Sequence, residues 1–169
     1  MKALLVTAAA VGLLASTPAF ASAGAAAPAT ASADAEIVTP ISVSLYGAGL
    51  NFGRIAADSA ASTVTIDNAN GRTSTSPNVL IAGGSAPHTA VFNVAGQAGL
   101  AYTASLATAT TTISNGSNNM TVTLNLFPGA GTLDSGGADS FKVGGSLAVG
   151  ANQAAGAYTG SFGVSVQYN

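Results

Sequence analysis

The amino-acid sequence predicts an all-β protein, an immunoglobulin-like β-sandwich of about seven to nine antiparallel strands. Across residues 36–169, apolar and polar residues alternate in a succession of short segments, which is the period of half-buried strands. Turn residues such as Asn115-Gly116 separate these segments, and none of the segments carries apolar residues at helical spacing. Strands are therefore the only regular element predicted for this domain.

The N-terminus predicts export. Residues 1–21 have the pattern of a cleaved secretory signal peptide, with Lys2 before a short apolar run and Ala19-Phe20-Ala21 at the cleavage position. Residues 22–35 are small and of low complexity, and we interpret them as a flexible leader that could extend to about 46 Å. A disordered stub left after processing is the alternative. We expect a bacterial protein located in the periplasm, at the cell surface or outside the cell.

The composition narrows the classes of partner. Charged residues make up 6% of the chain, with a formal net charge of −2, whereas soluble domains average about 25% charged residues. A nucleic-acid partner is therefore not expected. Sheet edges are usually protected by lysine or inward-pointing charge, yet Lys142 is the only lysine after the predicted cleavage site. This favours an edge that pairs with another chain, although low charge is also common in small secreted β-domains rich in Gly, Ala and Thr.

The first strands are predicted from alternation on one parity. In residues 37–45, Ile37, Ile41, Val43 and Leu45 share one face, and Pro40 on the other parity indicates an edge strand or a crossing between sheets. Val64 and Ile66 predict a short second strand. Residues 67–72 then predict a turn, because Asn70-Gly71 readily adopts the positive φ angles that a tight turn needs. Residues 79–82 lead to a pair of glycines.

The middle of the domain predicts a hairpin and a longer strand. Residues 91–94 and 100–106 alternate on either side of a turn at residues 96–99, which predicts that they pair as a hairpin. Residues 120–126 give a regular alternation that Phe127-Pro128-Gly129 ends. A new strand is therefore expected to begin after Asn115-Gly116.

The C-terminal part predicts strands around a glycine pair. Phe141, Val143, Leu147 and Val149 flank Gly144-Gly145, where a bulge or bend is expected. Residues 156–169 alternate more regularly than any other stretch, so the chain is expected to end inside a sheet. Alternation places most aromatic residues on core faces rather than in a sugar-stacking platform; those considered are Tyr46, Phe52, Tyr102, Tyr158 and Tyr168.

Four segments resemble an uncharacterised bacterial secreted family, the domain-of-unknown-function 4402 family. They are residues 35–43 (AEIVTPISV), 50–55 (LNFGRI), 131–134 (GTLD) and 149–169 (VGANQAAGAYTGSFGVSVQYN). The resemblance implies export and a β-sandwich, and it implies no particular activity because the family has none assigned.

The closing pattern of residues 156–168, GxYxGxFxVxVxY, is also similar to spore coat protein U and related chaperone-usher pilus subunits. In those relatives an extended segment of the next subunit completes an incomplete sandwich, which implies a partner that binds by strand addition. Residues 37–45 have the alternation of such a donor. Because they directly precede the domain, we expect them to be its own first strand.

No catalytic, cofactor-binding or metal-binding residue is predicted. His88, the single histidine, follows Pro87 in a loop and is expected to be a solvated bystander. The chain has no cysteine and no recognisable nucleophile motif. Asp134 and Asp139 flank a glycine-containing turn, but two carboxylates supply fewer oxygens than the six or so that calcium needs. We expect a solvated turn there.

The sequence therefore predicts a secreted structural protein of the cell envelope, a pilus-like or surface-assembling subunit without catalysis. Its expected partners are other copies or an envelope protein, bound by strand addition, with no membrane insertion after signal cleavage. A monomeric adhesion or carbohydrate- or protein-binding module is one alternative. A small outer-membrane barrel is the other, although many predicted strands are shorter than the roughly 9 to 11 residues such a barrel needs.

Overall fold

The computed structural model describes Gly24 and residues 28–76 and 79–169. The predicted signal peptide and part of the predicted leader lie outside these residues. Residues 28–36 have no regular secondary structure and are exposed. Ile37–Asn169 form a separate compact unit. Within the described ranges, no helix has the length and apolarity that crossing a membrane requires.

The described residues of this unit contain twelve strands. They are β1 (Ser42–Tyr46), β2 (Arg54–Ile55), β3 (Ser62–Ile66), β4 (Arg72–Ser74), β5 (Leu80–Ile81), β6 (Ala90–Ala95), β7 (Ala101–Leu106), β8 (Thr110–Ser114), β9 (Asn119–Phe127), β10 (Ala130–Thr132), β11 (Ala138–Val149) and β12 (Val164–Tyr168). Four of them have only two or three residues. Such short strands contain too few residues to show alternation, which explains why the sequence predicted fewer strands.

The strands form an antiparallel β-sandwich. The larger sheet has seven strands in the order β1-β6-β11-β3-β4, and β9 pairs with β11 and with β8. The second sheet has the order β10-β7-β12, and β2 pairs with β5 separately. Apolar side chains from both sheets fill the core; the most buried include Val64, Ile66, Val94, Tyr102, Val122, Phe141, Val143 and Leu147. The predicted fold class is confirmed.

β11 is the central strand, and Gly144-Gly145 lie in its middle. Along one edge of β11 the partner changes here, because Val143 pairs with β6 whereas Gly145 pairs with β3. β9 lies along the opposite edge. A Cβ atom on Gly144 would lie 2.5 Å from the carbonyl oxygen of Ile66. The glycine pair therefore allows neighbouring backbones to approach closely where the partner strand changes, and β11 continues through it as one strand of 12 residues.

The predicted hairpin between residues 91–94 and 100–106 is wrong. β6 belongs to the seven-stranded sheet, whereas β7 belongs to the three-stranded sheet. The turn between them is held by other parts of the chain, because Gly96 N–H donates to Gly137 O at 2.9 Å and Gly99 N–H donates to Leu133 O at 3.0 Å. The chain therefore crosses from one layer of the sandwich to the other at this turn.

The hairpins that do form are β3–β4 and β8–β9. In the β3–β4 turn, Asp67 Oδ1 accepts hydrogen bonds from the N–H groups of Ala69 and Gly71 at 2.8 and 2.7 Å. Asn70 has a φ of 64°, as predicted, whereas Gly71 is not among the residues with positive φ. The sequence did not predict strand β8. Its segment, TTTIS, contains a single large apolar residue, so no alternation of apolar and polar residues is visible.

The C-terminal segment contacts both sheets. Thr159 forms a bridge with Ser114 at the end of β8 in the larger sheet. Thr111 Oγ1 in β8 also donates a hydrogen bond to Ser161 O at 2.7 Å. The chain then enters the second sheet as β12, which pairs with β7. The strand predicted over residues 156–169 is therefore shorter than expected, because its first half lies against a different sheet.

Candidate interaction surface

His88 pairs with another segment of the chain through its backbone. Its backbone N–H and C=O groups pair with Asn51, at 3.0 and 2.9 Å. Its ring Nδ1 lies 3.1 Å from the carbonyl oxygen of Thr89. This pairing holds the segment that carries Phe52, which is buried as the sequence predicted. Gly53 follows with a φ of 73°, so the chain can turn immediately after the buried ring.

The two aspartates considered for calcium have protein partners. Asp134 Oδ1 accepts hydrogen bonds from the N–H groups of Gly136 and Ala138 at 2.8 and 2.9 Å. Asp139 Oδ2 accepts a hydrogen bond from the Tyr102 hydroxyl at 3.0 Å. Burial of Tyr102, together with this hydrogen bond and the charge of Asp139, raises the pKa of the phenol to about 12. In the described part of the chain, His, Cys, Asp and Glu side chains form no group of three that could hold a metal ion.

The backbone of β1 has one side without a partner. In an antiparallel strand, the N–H and C=O of a residue point to the same side, and successive residues alternate. Because Gly96 N–H donates to Gly137 O, the even-numbered residues of β6 face β11 and the odd-numbered residues face β1. In the register with β1, the odd-numbered β6 residues lie opposite Ser42, Ser44 and Tyr46.

The backbone groups of Val43 and Leu45 therefore point away from β6. Among the described residues, β6 is the only strand that pairs with β1. The outer edge of β1 thus presents two N–H and two C=O groups that another strand could bind. The sequence predicted from Pro40 that the first strand either lies at an edge or crosses between sheets, and β1 lies at an edge.

The exposed large apolar side chains concentrate at this edge. Five such side chains occur among the described residues, and four of them belong to residues 37–46: Ile37, Val38, Leu45 and Tyr46. Ile37 was predicted to share the buried face of the first strand, but it is 97% exposed because β1 begins only at Ser42. Tyr46 was expected at the core and is 65% exposed. The β1 edge is therefore both apolar and accessible.

β12 is also an edge strand, as are β4, β8 and β10. Ala107 N–H donates to Gly163 O at 2.9 Å, and Asn169 N–H donates to Ala101 O at 3.1 Å. The odd-numbered residues of this segment therefore face β7, and the backbone groups of Val164 and Val166 point away from it. Within the described ranges, β7 is the only strand paired with β12. The sequence did not predict that the last strand lies at an edge.

A hydrogen-bonded cluster brings the two edges to the same side of the sandwich. The Tyr168 hydroxyl donates to Thr39 O at 2.7 Å and accepts from Gln97 N–H at 2.6 Å. Thr39 in turn donates from its hydroxyl to Gln97 Oε1 at 3.2 Å. The end of β12 is thus tied to the segment that precedes β1.

An apolar groove of about 1050 Å³ lies beside the β1 edge. Leu45 of β1 lines it, together with core residues of the larger sheet and the segment 154–162. Phe92 and Phe162 also line it. The Phe92 ring meets Phe162 edge-on at 6.1 Å, and it stacks on the buried Phe141 with centroids 5.3 Å apart. The groove therefore continues the apolar surface of β1 into the space between the larger sheet and the segments 48–57 and 153–162.

The strands at both edges lack charged residues. Their sequences are SVSLY in β1 and VSVQY in β12. Lys142 lies in the central strand β11, where its Nζ donates to Asn68 O at 3.2 Å. Arg72 is likewise engaged, since its guanidinium donates to the carbonyl oxygens of Phe52, Arg54 and Ile81. Charged side chains commonly protect sheet edges from pairing, and neither β1 nor β12 has one.

Comparison with known proteins gives one family match. The family described as "Domain of unknown function (DUF4402)" matches residues 41–168. This range begins just before β1 and ends at the last residue of β12, so it includes the edges of β1 and β12. No curated protein and no solved structure matches the chain.

Proposed function

We propose that this chain, which belongs to the DUF4402 family of domains of unknown function, is an exported structural protein of the cell envelope. In this proposal it has no catalytic role, and it assembles with other chains by strand addition. The observation that carries the proposal is the outer edge of β1, which is apolar, uncharged and without a partner strand in the described residues.

Strand addition has an energetic basis at this edge. Each backbone hydrogen bond formed contributes about 0.5–1.5 kcal/mol net, and burial of apolar surface contributes about 25 cal/mol per Å². Leu45 and Tyr46 are 49% and 65% exposed, so they have apolar surface left to bury against an added strand. A five-residue strand gains little from backbone pairing alone, and these side chains would supply the remainder.

Export is the second part of the proposal. It is supported by the signal-peptide pattern of residues 1–21 and by the low content of charged residues. A chain without cysteine needs no oxidative folding step after export, and the buried apolar core gives the domain a source of stability other than disulfides.

A monomeric binding module is the second candidate. The groove of about 1050 Å³ favours it, because ligand sites are commonly apolar clefts of about 300–1,000 Å³ with a few polar groups. Asn51, Arg54 and Gln153 would be the polar groups here. An adhesion surface built on aromatic stacking has less support, since Tyr46 is the one aromatic residue among the exposed large apolar side chains of the described residues.

The test is assembly of protein isolated from its native envelope, followed by electron microscopy and by gel migration without boiling. The variant Leu45→Pro removes an N–H that points away from β6, and an edge strand tolerates proline at such a position. Leu45→Val is the matched control, because valine has as many side-chain carbons as proline but keeps the N–H. We expect wild type and Leu45→Val to migrate as dimers or larger species, and Leu45→Pro to give a folded monomer.

Two results would contradict assembly at β1. One is a wild-type protein that remains monomeric at every concentration, which would favour the binding module. The other is a Leu45→Pro variant that assembles as well as Leu45→Val. Circular dichroism of each variant shows whether the domain is folded, so a folding defect is not mistaken for lost assembly.

A further inference from the structure

We propose that the strand added to the β1 edge is β1 of a second copy of this chain, paired antiparallel about a twofold axis at Ser44. This inference rests on the proposed function, because it names the partner at the same edge. It goes further by fixing the partner, the orientation and the register.

The free backbone groups of β1 determine the register. Val43 and Leu45 carry the N–H and C=O groups that point away from β6. If Val43 of one copy lies opposite Leu45 of the other, both residues of each copy find partners, and four hydrogen bonds form. All five residues of β1 (Ser42–Tyr46) are then paired. Shifting the register toward the C-terminus would require Gly47, whose φ of 74° departs from extended backbone.

In this register Ser44 lies opposite Ser44 of the second copy, as a pair without backbone hydrogen bonds to each other. The Cα atoms of such a pair are about 4.5 Å apart. Ser44 is exposed, and its neighbour Leu45 lies on the groove side. The two serine side chains therefore meet on the solvent-facing side of the joined sheet, where small hydroxyl groups fit without desolvation of charge.

The other side chains also match. Leu45, 49% exposed in the single chain, would lie beside Val43 of the second copy on the core-facing side. Tyr46, 65% exposed, would lie beside Ser42 of the second copy on the solvent side, where a small neighbour leaves room for the ring. Each large exposed side chain thus faces a smaller one.

The absence of charge in β1 favours a second copy over a different partner. A twofold interface places each central residue next to its own copy, so any charge near the axis would face a like charge, which is destabilising. The sequence SVSLY has none. It also has no proline or lysine, the residues that commonly prevent sheets from pairing edge to edge.

The experiment uses Ser44→Cys, which introduces the one cysteine of a chain that otherwise has none. A Cα separation of about 4.5 Å lies within the range that disulfides span. Ser165→Cys is the matched control, because Ser165 is also an exposed serine in an edge strand, β12. Both full-length exported variants are purified reduced, their masses are measured by light scattering, and disulfide formation is followed after addition of oxidised glutathione.

We expect a dimer or a larger even-numbered species, with Ser44→Cys cross-linking at least roughly tenfold faster than Ser165→Cys, since paired thiols react at an effective concentration near millimolar. If the protein assembles but the two variants cross-link equally slowly, the twofold register is wrong. Strand-mediated assembly would still be supported by that result. A monomer at all concentrations, with no preferential cross-linking, would overturn both. An unchanged thermal midpoint shows that each variant folds.

Discussion

The hydroxyl of Tyr168 donates a hydrogen bond to the carbonyl oxygen of Thr39 at 2.7 Å, although 129 residues separate them. The same hydroxyl accepts the N–H of Gln97 at 2.6 Å. One phenol thus joins the last strand, the approach to the first strand and the β6–β7 turn. Gly96 is required beside it, because a Cβ atom there would overlap the Tyr168 hydroxyl.

Replacing Tyr168 with phenylalanine should destabilise the fold by about 1–2 kcal/mol, because it leaves the Gln97 N–H and the Thr39 carbonyl without this partner. The ring is retained, so its packing is preserved. Urea denaturation measures the change. Tyr46→Phe, at an exposed tyrosine, is the control and should change the unfolding free energy by less than about 0.5 kcal/mol. Equal values for the two variants would show that the cluster adds no stability.

Gly144→Ala should destabilise the domain by about 1–3 kcal/mol, the usual cost of overpacking a core. The added methyl group would lie 2.5 Å from Ile66 O and 3.2 Å from the Phe127 ring, and the first of these is backbone that cannot move aside cheaply. Gly49→Ala is the control, since a Cβ atom there meets nothing within 4 Å. The comparison is made by thermal and urea unfolding. If Gly144→Ala is as stable as Gly49→Ala, the close approach of the Ile66 carbonyl oxygen does not restrict the side chain at position 144.

The Tyr102 phenol should make stability depend on alkaline pH. Its pKa is about 12 in the folded protein and about 10 in an unfolded chain. Between these values the folded protein retains a proton that the unfolded chain has lost, so stability is full below pH 10 and falls as the pH rises to 12. The loss attributable to Tyr102 is at most about 3 kcal/mol.

Urea denaturation at several pH values from 9 to 12 measures this effect. The variant Tyr102→Phe removes the titrating group and should decline less steeply over the same window. The other tyrosines are present in both proteins, so the difference between the two curves isolates Tyr102. Parallel curves would contradict the linkage.

Charged residues at position 44 should control pairing at the β1 edge. Ser44→Lys or Ser44→Glu would place like charges opposite each other in a twofold dimer, whereas a mixture of the two variants would pair opposite charges, favourable by about 0.2–1 kcal/mol. Native mass spectrometry distinguishes the two homodimers from the mixed dimer. We expect the mixed dimer in clear excess over random pairing.

The control mixture is Ser165→Lys with Ser165→Glu, which changes the same residue type on β12. Because β12 takes no part in the proposed pairing, any dimers of this mixture should follow random proportions. Random proportions for the position-44 mixture as well would count against Ser44 at the axis.

The sequence predicted which side chains face the core in several of the longer strands. Val64 and Ile66, Val122 and Leu124, and Phe141 and Val143 are all buried as their alternation indicated. Alternation is a local property, because successive side chains of a strand point to opposite faces whatever strand lies beside it. Burial of one parity therefore follows from the order of residues within each strand.

Strand partners were decided by the tertiary structure. The short turn after β6 indicated a hairpin with β7, yet its amides bind Gly137 and Leu133, and the chain crosses to the other sheet. The free edge of β12 and the change of partner at Gly144-Gly145 likewise depend on residues far away in the chain. The sequence by itself thus determined the fold class and the inward faces, which depend on the alternation of neighbouring residues. Only the tertiary structure decided which backbone edges stay unpaired, because hydrogen-bonding partners are set by long-range packing.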